Sequence, residues 1–166
     1  MTQRRPYPTP TQLLSSVSVR DLLAQKPTQL FGIAPQDTVY HAVAMMADAE
    51  VGALVVLHDE RLVGIISERD YARQIILRGR RSQDTLVEEI MTRRVFTVTL
   101  EQTIQDCMRI MTDQQIRHLP VVDGGRVVAM VSVGDVVRAV LEEQSRVIDE
   151  LSRYVSGEPR VTSTSI

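Results

Sequence analysis

The chain has little of several residue types on which many functional sites depend. Its 166 residues include one cysteine, no tryptophan, three histidines and only 4% aromatic residues. The single Cys107 excludes an intramolecular disulfide, and no cysteine and histidine spacing suits zinc, so a reducing compartment, by default the cytoplasm, is expected. A formal net charge of −2 argues against nucleic acid as the main partner.

Long apolar runs are also missing. After Arg4 and Arg5 the sequence has prolines at Pro6, Pro8 and Pro10, where a secretory signal would need a continuous apolar segment. No apolar stretch reaches membrane-spanning length, so a membrane is not an expected partner. The 43% of apolar residues that are present suffice for one compact unit, or for two small units that share a core.

An internal duplication covers most of the chain. Residues 33–76 align without a gap to 98–141 at an offset of 65 and share ten identities, where composition alone would give roughly three. Upstream, residues 19–23 recur as 87–91 once a three-residue insertion in the first copy is allowed. The identical pairs include Leu54/Leu119, Arg61/Arg126, Val63/Val128, Ser67/Ser132, Asp70/Asp135 and Arg73/Arg138.

Each copy predicts a β-α-β-β-α unit. Asp37 and Thr99 are the expected starts of the first helices, and the second helices are expected to begin near Ser67 and Ser132. The strands are too apolar on both faces to stand in water alone, so the two units must pack together. The expected strands are 32–33, 53–57 and 62–66 in the first copy and 95–98 at the start of the second.

The pattern also predicts boundaries. A leading helix is expected within 11–23, and arginines at 78, 80 and 81 are expected to lie in a solvated linker, although they are within reach of a ligand phosphate. The last helix keeps a three-to-four apolar spacing beyond the repeat, which fits either a helix folded back on its own module or a seam for a second subunit. The predicted segments are a flexible tail 1–12, a first domain 13–77, a linker 78–84, a second domain 85–142, a helix extension 143–155 and a flexible tail 156–166.

The two segments 64–70 and 129–135 share a pattern of a small residue, two apolar residues, serine, two spacers and aspartate, placed where a strand enters a helix. The pattern closely resembles the ligand signature of cystathionine-β-synthase (CBS) domains, and segments 117–123 and 124–128 also resemble that family. A tandem pair of such domains, the Bateman module of stand-alone bacterial-type signalling proteins, would cover roughly residues 15–142. The resemblance implies an α/β (α+β) fold in which two repeats pack with pseudo-twofold symmetry, and a homodimer.

The resemblance further implies clefts between the domains that take AMP, ATP or NAD(H). An aspartate there can accept hydrogen bonds from both hydroxyls of a ribose. However, Ser-x-x-Asp at a helix start is also a capping box, so Asp70 has a purely structural interpretation, and the two roles are compatible. The expected ligand-binding residues are Asp70, Ser67, Arg69, Gly64, Ile65, Val51, Gly52, Ala53, Arg117, His118, Pro120, Asp135, Ser132, Met130 and Thr97.

Within this set, Gly64 is expected to leave room for a close ligand approach, and backbone groups of 51–54 are expected to meet an adenine edge. There is no Gly-rich phosphate loop of the Walker type, and the resemblance places phosphate contacts at Arg117 and His118. Their counterparts in the first copy are Gly52 and Ala53, which bring no charge. The cleft of Asp70 is therefore expected to hold a phosphorylated ligand better than the cleft of Asp135.

Three classes of function remain, and the first has the most support. It is a non-catalytic regulatory module that binds an adenosine nucleotide and transmits its occupancy to a dimer partner or a separate effector protein. The second is an oligomerisation scaffold without a physiological nucleotide. The third, an enzyme, has the least support because the repeat uses nearly all residues and no acid, base or nucleophile constellation is left, with Cys107 expected in the core and no catalytic cofactor expected.

Overall fold

The computed structural model describes residues 17–26 and 29–156. The tail predicted at 1–12, most of the tail predicted at 156–166 and the first part of the expected leading helix lie outside the described residues. The helices are α1 Val19–Ala24, α2 Val39–Asp48, α3 Glu68–Tyr71, which continues as the π-helical segment Ala72–Ile76, α4 Val87–Ile90, α5 Ile104–Gln114 and α6 Val133–Ser156. The strands are β1 Gly32–Ile33, β2 Ala53–His58, β3 Arg61–Ser67, β4 His118–Asp123 and β5 Arg126–Ser132. None of the helices in these residues is both long and apolar enough to cross a membrane.

The two copies repeat the same antiparallel hairpin. Strands β2 and β3 pair with Ala53 opposite Ser67, and β4 and β5 pair with His118 opposite Ser132. Each hairpin has a register irregularity at the same place, between residues 56 and 57 in one and between 121 and 122 in the other. The predicted α+β repeat is confirmed, since even this local distortion recurs at the 65-residue offset.

The two hairpin turns have the same type of backbone conformation but different residues. Both central residues have positive φ: 49° and 61° at Asp59 and Glu60, and 56° and 80° at Gly124 and Gly125. A two-residue turn of this kind matches the twist of the flanking strands, and glycine adopts it without steric cost. The second turn, with glycine at both positions, therefore costs less backbone strain than the first.

Two sequence predictions of local structure are wrong. Helices α2 and α5 begin after Thr38 and Thr103, whose hydroxyls accept hydrogen bonds from the backbone N–H of His41 and Asp106, and not after Asp37 and Thr99. Asp37 instead accepts from the Ala34 N–H in the preceding turn, at 3.1 Å. Thr38 and Thr103 are one of the ten identical pairs, so the duplication itself carried the signal.

The strand predicted at 95–98 is reduced to a single bridge between Val98 and Val121. The reason lies upstream, where Thr92 pairs with Ile65 of the first repeat through two backbone hydrogen bonds of 2.9 and 3.0 Å. The chain then crosses from one repeat to the other, and only Val98 comes close enough to β4 to join it.

Each repeat begins with a short helix, α1 or α4, that packs on the core of the other repeat. Val19 and Leu22 of α1 belong to the core built by α5, β4, β5 and α6, whereas Val87 and Ile90 of α4 belong to the core built by α2, β2 and β3. Backbone hydrogen bonds fix the exchange, such as that from the Val19 N–H to the Gln102 carbonyl at 2.8 Å. The predicted boundaries 13–77 and 85–142 thus follow the repeats in the sequence. In the folded chain, each globular unit takes its first helix from the other repeat.

The linker at 78–84 packs on the start of α2, where the Tyr40 N–H donates to the Ser82 carbonyl at 3.0 Å. Two of its arginines have carboxylate partners: Arg80 pairs with Glu89, and Arg81 pairs with Asp84. These contacts hold the side chains within the linker region.

Candidate functional site

A cavity of about 320 Å³ lies between the two repeats, in the size range of small-molecule sites. The end of β3 and the start of α3 form one wall, and the end of α5 with the start of β4 forms the opposite wall. The crossing segment between the repeats closes a third side. The lining residues are Ile65, Ser67, Arg69, Asp70, Arg73, Thr92, Arg94, Val95, Phe96, Gln114, Gln115, Ile116, Arg117 and His118.

Asp70 combines a capping role with exposure to this cavity. Its Oδ2 accepts hydrogen bonds from the backbone N–H and the hydroxyl of Ser67, at 2.9 and 2.7 Å, and the Ser67 hydroxyl in turn accepts from the Asp70 N–H. Among the described residues, no donor is placed on the second oxygen, Oδ1. The capping interpretation is therefore correct for one oxygen, and the geometry leaves the other available to a ligand hydroxyl.

The cavity is strongly positive. Among the described residues, four arginines line it, at positions 69, 73, 94 and 117, against the single carboxylate of Asp70. The Arg69 guanidinium donates to the Gln115 carbonyl across the cleft at 2.7 Å, and the Arg94 guanidinium lies 5.7 Å from the centre of the Phe96 ring. Such an excess of guanidinium groups, each with several fixed donors, suits a phosphate-bearing anion.

His118 adds a donor to the cavity but no charge at neutral pH. Burial lowers the pKa of its imidazole and the neighbouring Arg117 lowers it further, while Glu68 and Asp135 act in the opposite direction more weakly. The ring packs on Gly52, where a Cβ would lie 3.3 Å from its Cε1 atom. Of the two expected phosphate contacts, Arg117 therefore carries the positive charge.

Packing corrects one expected ligand contact, that of Gly64, and leaves the expected contact of 51–54 with an adenine edge as a prediction. The space beside Gly64 is filled rather than open, because a Cβ there would lie 2.6 Å from the Met91 sulfur and 3.2 Å from the Thr92 carbonyl. The segment 51–54 does not line the Asp70 cavity. Its backbone is used internally, since the Gly52 carbonyl accepts from the Glu68 N–H at 3.1 Å, and Ala53 and Leu54 pair with β3.

The other expected residues fall into three groups. The structure brings Ile65, Ser67, Arg69, Asp70, Arg117 and His118 together in one cavity. Pro120 is buried and Thr97 is exposed, and neither lines that cavity. Ser132 and Met130 lie at the second cleft, around Asp135.

Asp135 has one donor more than Asp70, the Lys26 ammonium, on the same oxygen that takes the serine cap. Its Oδ2 accepts from the backbone N–H and hydroxyl of Ser132, both at 2.8 Å, and also from the Lys26 ammonium at 2.7 Å. Burial by itself would raise the pKa of the Asp135 carboxyl, but the hydrogen bonds from Lys26 and Ser132 outweigh it and lower the pKa. The twin carboxylates of the duplication thus have different partners.

Several lining residues were missed by the sequence analysis. Arg73 had a signal, because it is one of the identical pairs of the duplication. Arg94 and Phe96 had none, since they reach the cavity only because their segment crosses between the repeats.

Cys107 is buried in the core of the second repeat, as expected. Burial raises the pKa of its thiol to about 11, and the nearby Asp106 carboxylate adds to the increase. The thiolate that a nucleophile requires is therefore strongly disfavoured at neutral pH.

Comparisons with known proteins agree with this architecture. The CBS domain profile matches twice, at residues 19–77 and 87–142. The mitochondrial CBS domain-containing protein CBSX3 of Arabidopsis thaliana is 42% identical over 151 residues, covering 86% of this chain and 73% of its own length. Among solved structures, a putative signal-transduction protein with CBS domains from Burkholderia ambifaria is 40% identical in sequence to this chain. The match has a TM-score of 0.75 and covers 77% of this chain and 96% of that one.

A third relative has been solved with ligands. The CBS domain pair of protein MJ0100, in complex with 5′-methylthioadenosine and S-adenosyl-L-methionine, has a TM-score of 0.65 at 27% identity and covers 74% of this chain and 94% of its own. The duplicated hairpins, the paired serine and aspartate motifs and the two profile matches lead to one conclusion: the chain belongs to the CBS domain family, as a tandem pair of CBS domains.

Proposed function

We propose that this protein is a non-catalytic regulatory module that binds an adenosine nucleotide, AMP, ATP or NAD(H), in the cavity of Asp70. One observation carries the proposal: a carboxylate with one oxygen free of protein donors faces a cavity that also holds four arginines. The carboxylate suits the two hydroxyls of a ribose, and the arginines suit phosphate. The two adenosine-containing ligands of the MJ0100 pair support the nucleoside part of the proposal.

The charge of the cavity favours phosphorylated ligands over the two bound by MJ0100. Methylthioadenosine carries no phosphate, and S-adenosylmethionine carries a sulfonium cation that four guanidinium groups would repel. The side chain of Phe96, already in contact with Arg94, offers an apolar surface to a base. We therefore infer that the phosphate end of the ligand supplies much of the affinity in this chain.

We expect ATP to raise the melting temperature of the purified protein. At about a hundred times its dissociation constant a ligand adds ~2.7 kcal/mol of stability, which for a chain of this size corresponds to about 5–11 °C. Differential scanning fluorimetry with AMP, ATP and NADH measures the shift. Adenosine and inorganic triphosphate are the controls, because each supplies only one part of ATP. Unchanged melting with all of these and with S-adenosylmethionine would favour the alternative, an oligomerisation scaffold. Nucleotide turnover that is lost on replacing Asp70 would revive the enzyme hypothesis.

The last helix offers a surface for transmitting occupancy. One face, with Val136, Ala139 and Val140, packs on the core of the second repeat, so the folded-back interpretation holds for that face. A second face stays exposed, with Leu141 58%, Ile148 63% and Val155 88% accessible. This apolar stripe, which we define as Val137, Leu141, Ile148, Leu151 and Val155, keeps alternating steps of three and four residues apart from one polar position at Gln144, the spacing of a coiled-coil seam.

We propose that a second copy of the chain covers the apolar stripe in a homodimer, from which a separate effector protein would read the ligand state. Replacing Ile148 with glutamate would place a charge at the centre of the seam. We expect this variant to sediment at the monomer mass of 18.7 kDa in analytical ultracentrifugation, while the wild type sediments at twice that mass. Asp149→Asn, on the solvated face of the same turn, is the matched control and should remain dimeric. A wild type that is monomeric at high concentration would contradict the homodimer.

The cytoplasmic location remains a prediction. The name of the plant relative places that protein in mitochondria, and neither a nucleic acid nor a membrane is part of the function proposed here.

A further inference from the structure

The two clefts of the pair differ in one cation that comes from the segment leading into each repeat. At the offset of 68 that aligns residues 19–23 with 87–91, Lys26 corresponds to Arg94. Among the described residues Arg94 forms no ion pair, and its guanidinium lies over Phe96 at the edge of the Asp70 cavity. Lys26 instead turns its ammonium directly onto the carboxylate of its own spatial unit, Asp135.

The contact of Lys26 is a double one. Its ammonium donates to Asp135 Oδ2 at 2.7 Å and to the Met130 carbonyl at 3.2 Å. In the first repeat the corresponding carbonyl, that of Ile65, accepts from the Thr92 backbone N–H at 2.9 Å. The Lys26 side chain thus makes the contact to the Met130 carbonyl that a backbone N–H makes to the Ile65 carbonyl, and it brings a positive charge next to Asp135.

The ion pair is shielded from water. Only 24% of the Lys26 side chain and 14% of the Asp135 side chain are exposed. Oδ2 of Asp135 keeps the ammonium, because displacing it would leave a charge without a counter-ion in a partly buried place. A ribose is left with Oδ1, whose attraction for sugar hydroxyls is weakened by the adjacent positive charge.

The surroundings of Asp135 offer little to an anion. Among the described residues, the groove beside Asp135 is lined by residues of 17–26 and of α6 and has three acidic and three basic side chains, whereas the Asp70 cavity has four arginines and one acid. The charged residues of the groove are Lys26, Asp135, Arg138, Glu142, Glu143 and Arg146. Gly134 stands where the first repeat has Arg69, so the guanidinium that crosses the cleft in one half has no counterpart in the other.

We propose that Lys26 acts as a built-in cation that closes the second cleft, so that each protomer takes up one phosphorylated ligand, at Asp70. The inference rests on the proposed nucleotide function and adds the stoichiometry and the residue that sets it. The carboxylate of Asp135 then serves to anchor Lys26 and the end of α1 to the second repeat.

The test isolates the second cleft by disabling the first. In an Asp70→Ala background, isothermal titration calorimetry with adenosine, which needs no phosphate contact, should show no binding while Lys26 is present. Adding Lys26→Met should create one adenosine site, with at least a tenfold gain in affinity. Lys26→Arg in the same background keeps the positive charge and should leave the cleft closed. In the protein with Asp70 intact, ATP should titrate to one equivalent.

Two results would overturn the inference: adenosine binding to Asp70→Ala with Lys26 in place, or no gain from Lys26→Met in a variant that keeps its fold. A second measurement needs no ligand. The carboxyl carbon of Asp135, followed by NMR against pH, should show a higher pKa in Lys26→Met than in the wild type, and an unchanged pKa would also contradict the contact. If no nucleotide binds to any variant, the proposed function fails, while the NMR titration still decides whether Lys26 holds Asp135.

Discussion

Replacing Asp70 with alanine is expected to weaken ATP binding by about 10- to 150-fold, whereas Asp135→Ala should leave the affinity within about twofold. Hydrogen bonds to a charged acceptor are worth ~1.5–3 kcal/mol, and each ~1.4 kcal/mol is a factor of ten in affinity. Among the described residues, Asp70 has no cation paired with its carboxylate and faces a cavity with four arginines, while Asp135 already holds Lys26. Calorimetry on the wild type and both variants measures the difference.

The two aspartates are good controls for each other. Each accepts two hydrogen bonds from the serine three residues before it, so each alanine variant loses the same half of a capping box while the serine cap itself remains. Asp135→Ala also leaves Lys26 without its carboxylate, and a thermal melt of each ligand-free variant measures the stability lost at each site. Equal losses of ATP affinity in both variants would refute the asymmetry of the clefts, and no loss in either would remove the ribose role of Asp70.

Replacing Val19 with aspartate should destabilise the core of the second repeat, although Val19 belongs to the first repeat in the sequence. The side chain is fully buried among Ile104, Leu119 and Val131 and their neighbours. An unpaired charge in such a core costs about 3–5 kcal/mol. We expect urea unfolding to report this loss and amide hydrogen exchange to place it in β4 and β5.

The matched variant is Val87→Asp, which changes the equivalent buried position of α4. There the loss of hydrogen-exchange protection should appear in β2 and β3. If Val19→Asp loosened β2 and β3 first, the exchange of helices between the repeats would be wrong. Arg20→Ala serves as the surface control, because Arg20 forms only an exposed ion pair with Glu101, which contributes little.

Much of the fold could be predicted from local patterns. The strands of the hairpins, the helix starts at Ser67 and Ser132 and the long last helix all follow from apolar periodicity, turn residues and caps that act over a few positions. Because of the duplication, each element could be predicted from two copies of its sequence pattern. It also pointed to Asp70 and Arg73 through their identical counterparts, Asp135 and Arg138.

The candidate site was only partly predictable, because its walls come from segments far apart in the sequence. Arg69 and Gln115 meet across the cleft although 46 residues separate them. Arg94 and Phe96 enter the cavity because the chain leaves one repeat at Thr92 and reaches the other at Val98. Periodicity reports which face of an element is apolar, not which other element will cover it.

The sequence by itself determined that two similar β-α-β-β-α units exist and that each has a serine and an aspartate at one strand-to-helix junction. Only the tertiary structure decided that the units exchange their leading helices, that Met91 fills the space beside Gly64 and that Lys26 pairs with Asp135. The physical reason is the range of the interactions. Capping and strand patterns depend on neighbours a few residues away, whereas a buried ion pair between residues 26 and 135 depends on how the whole chain packs.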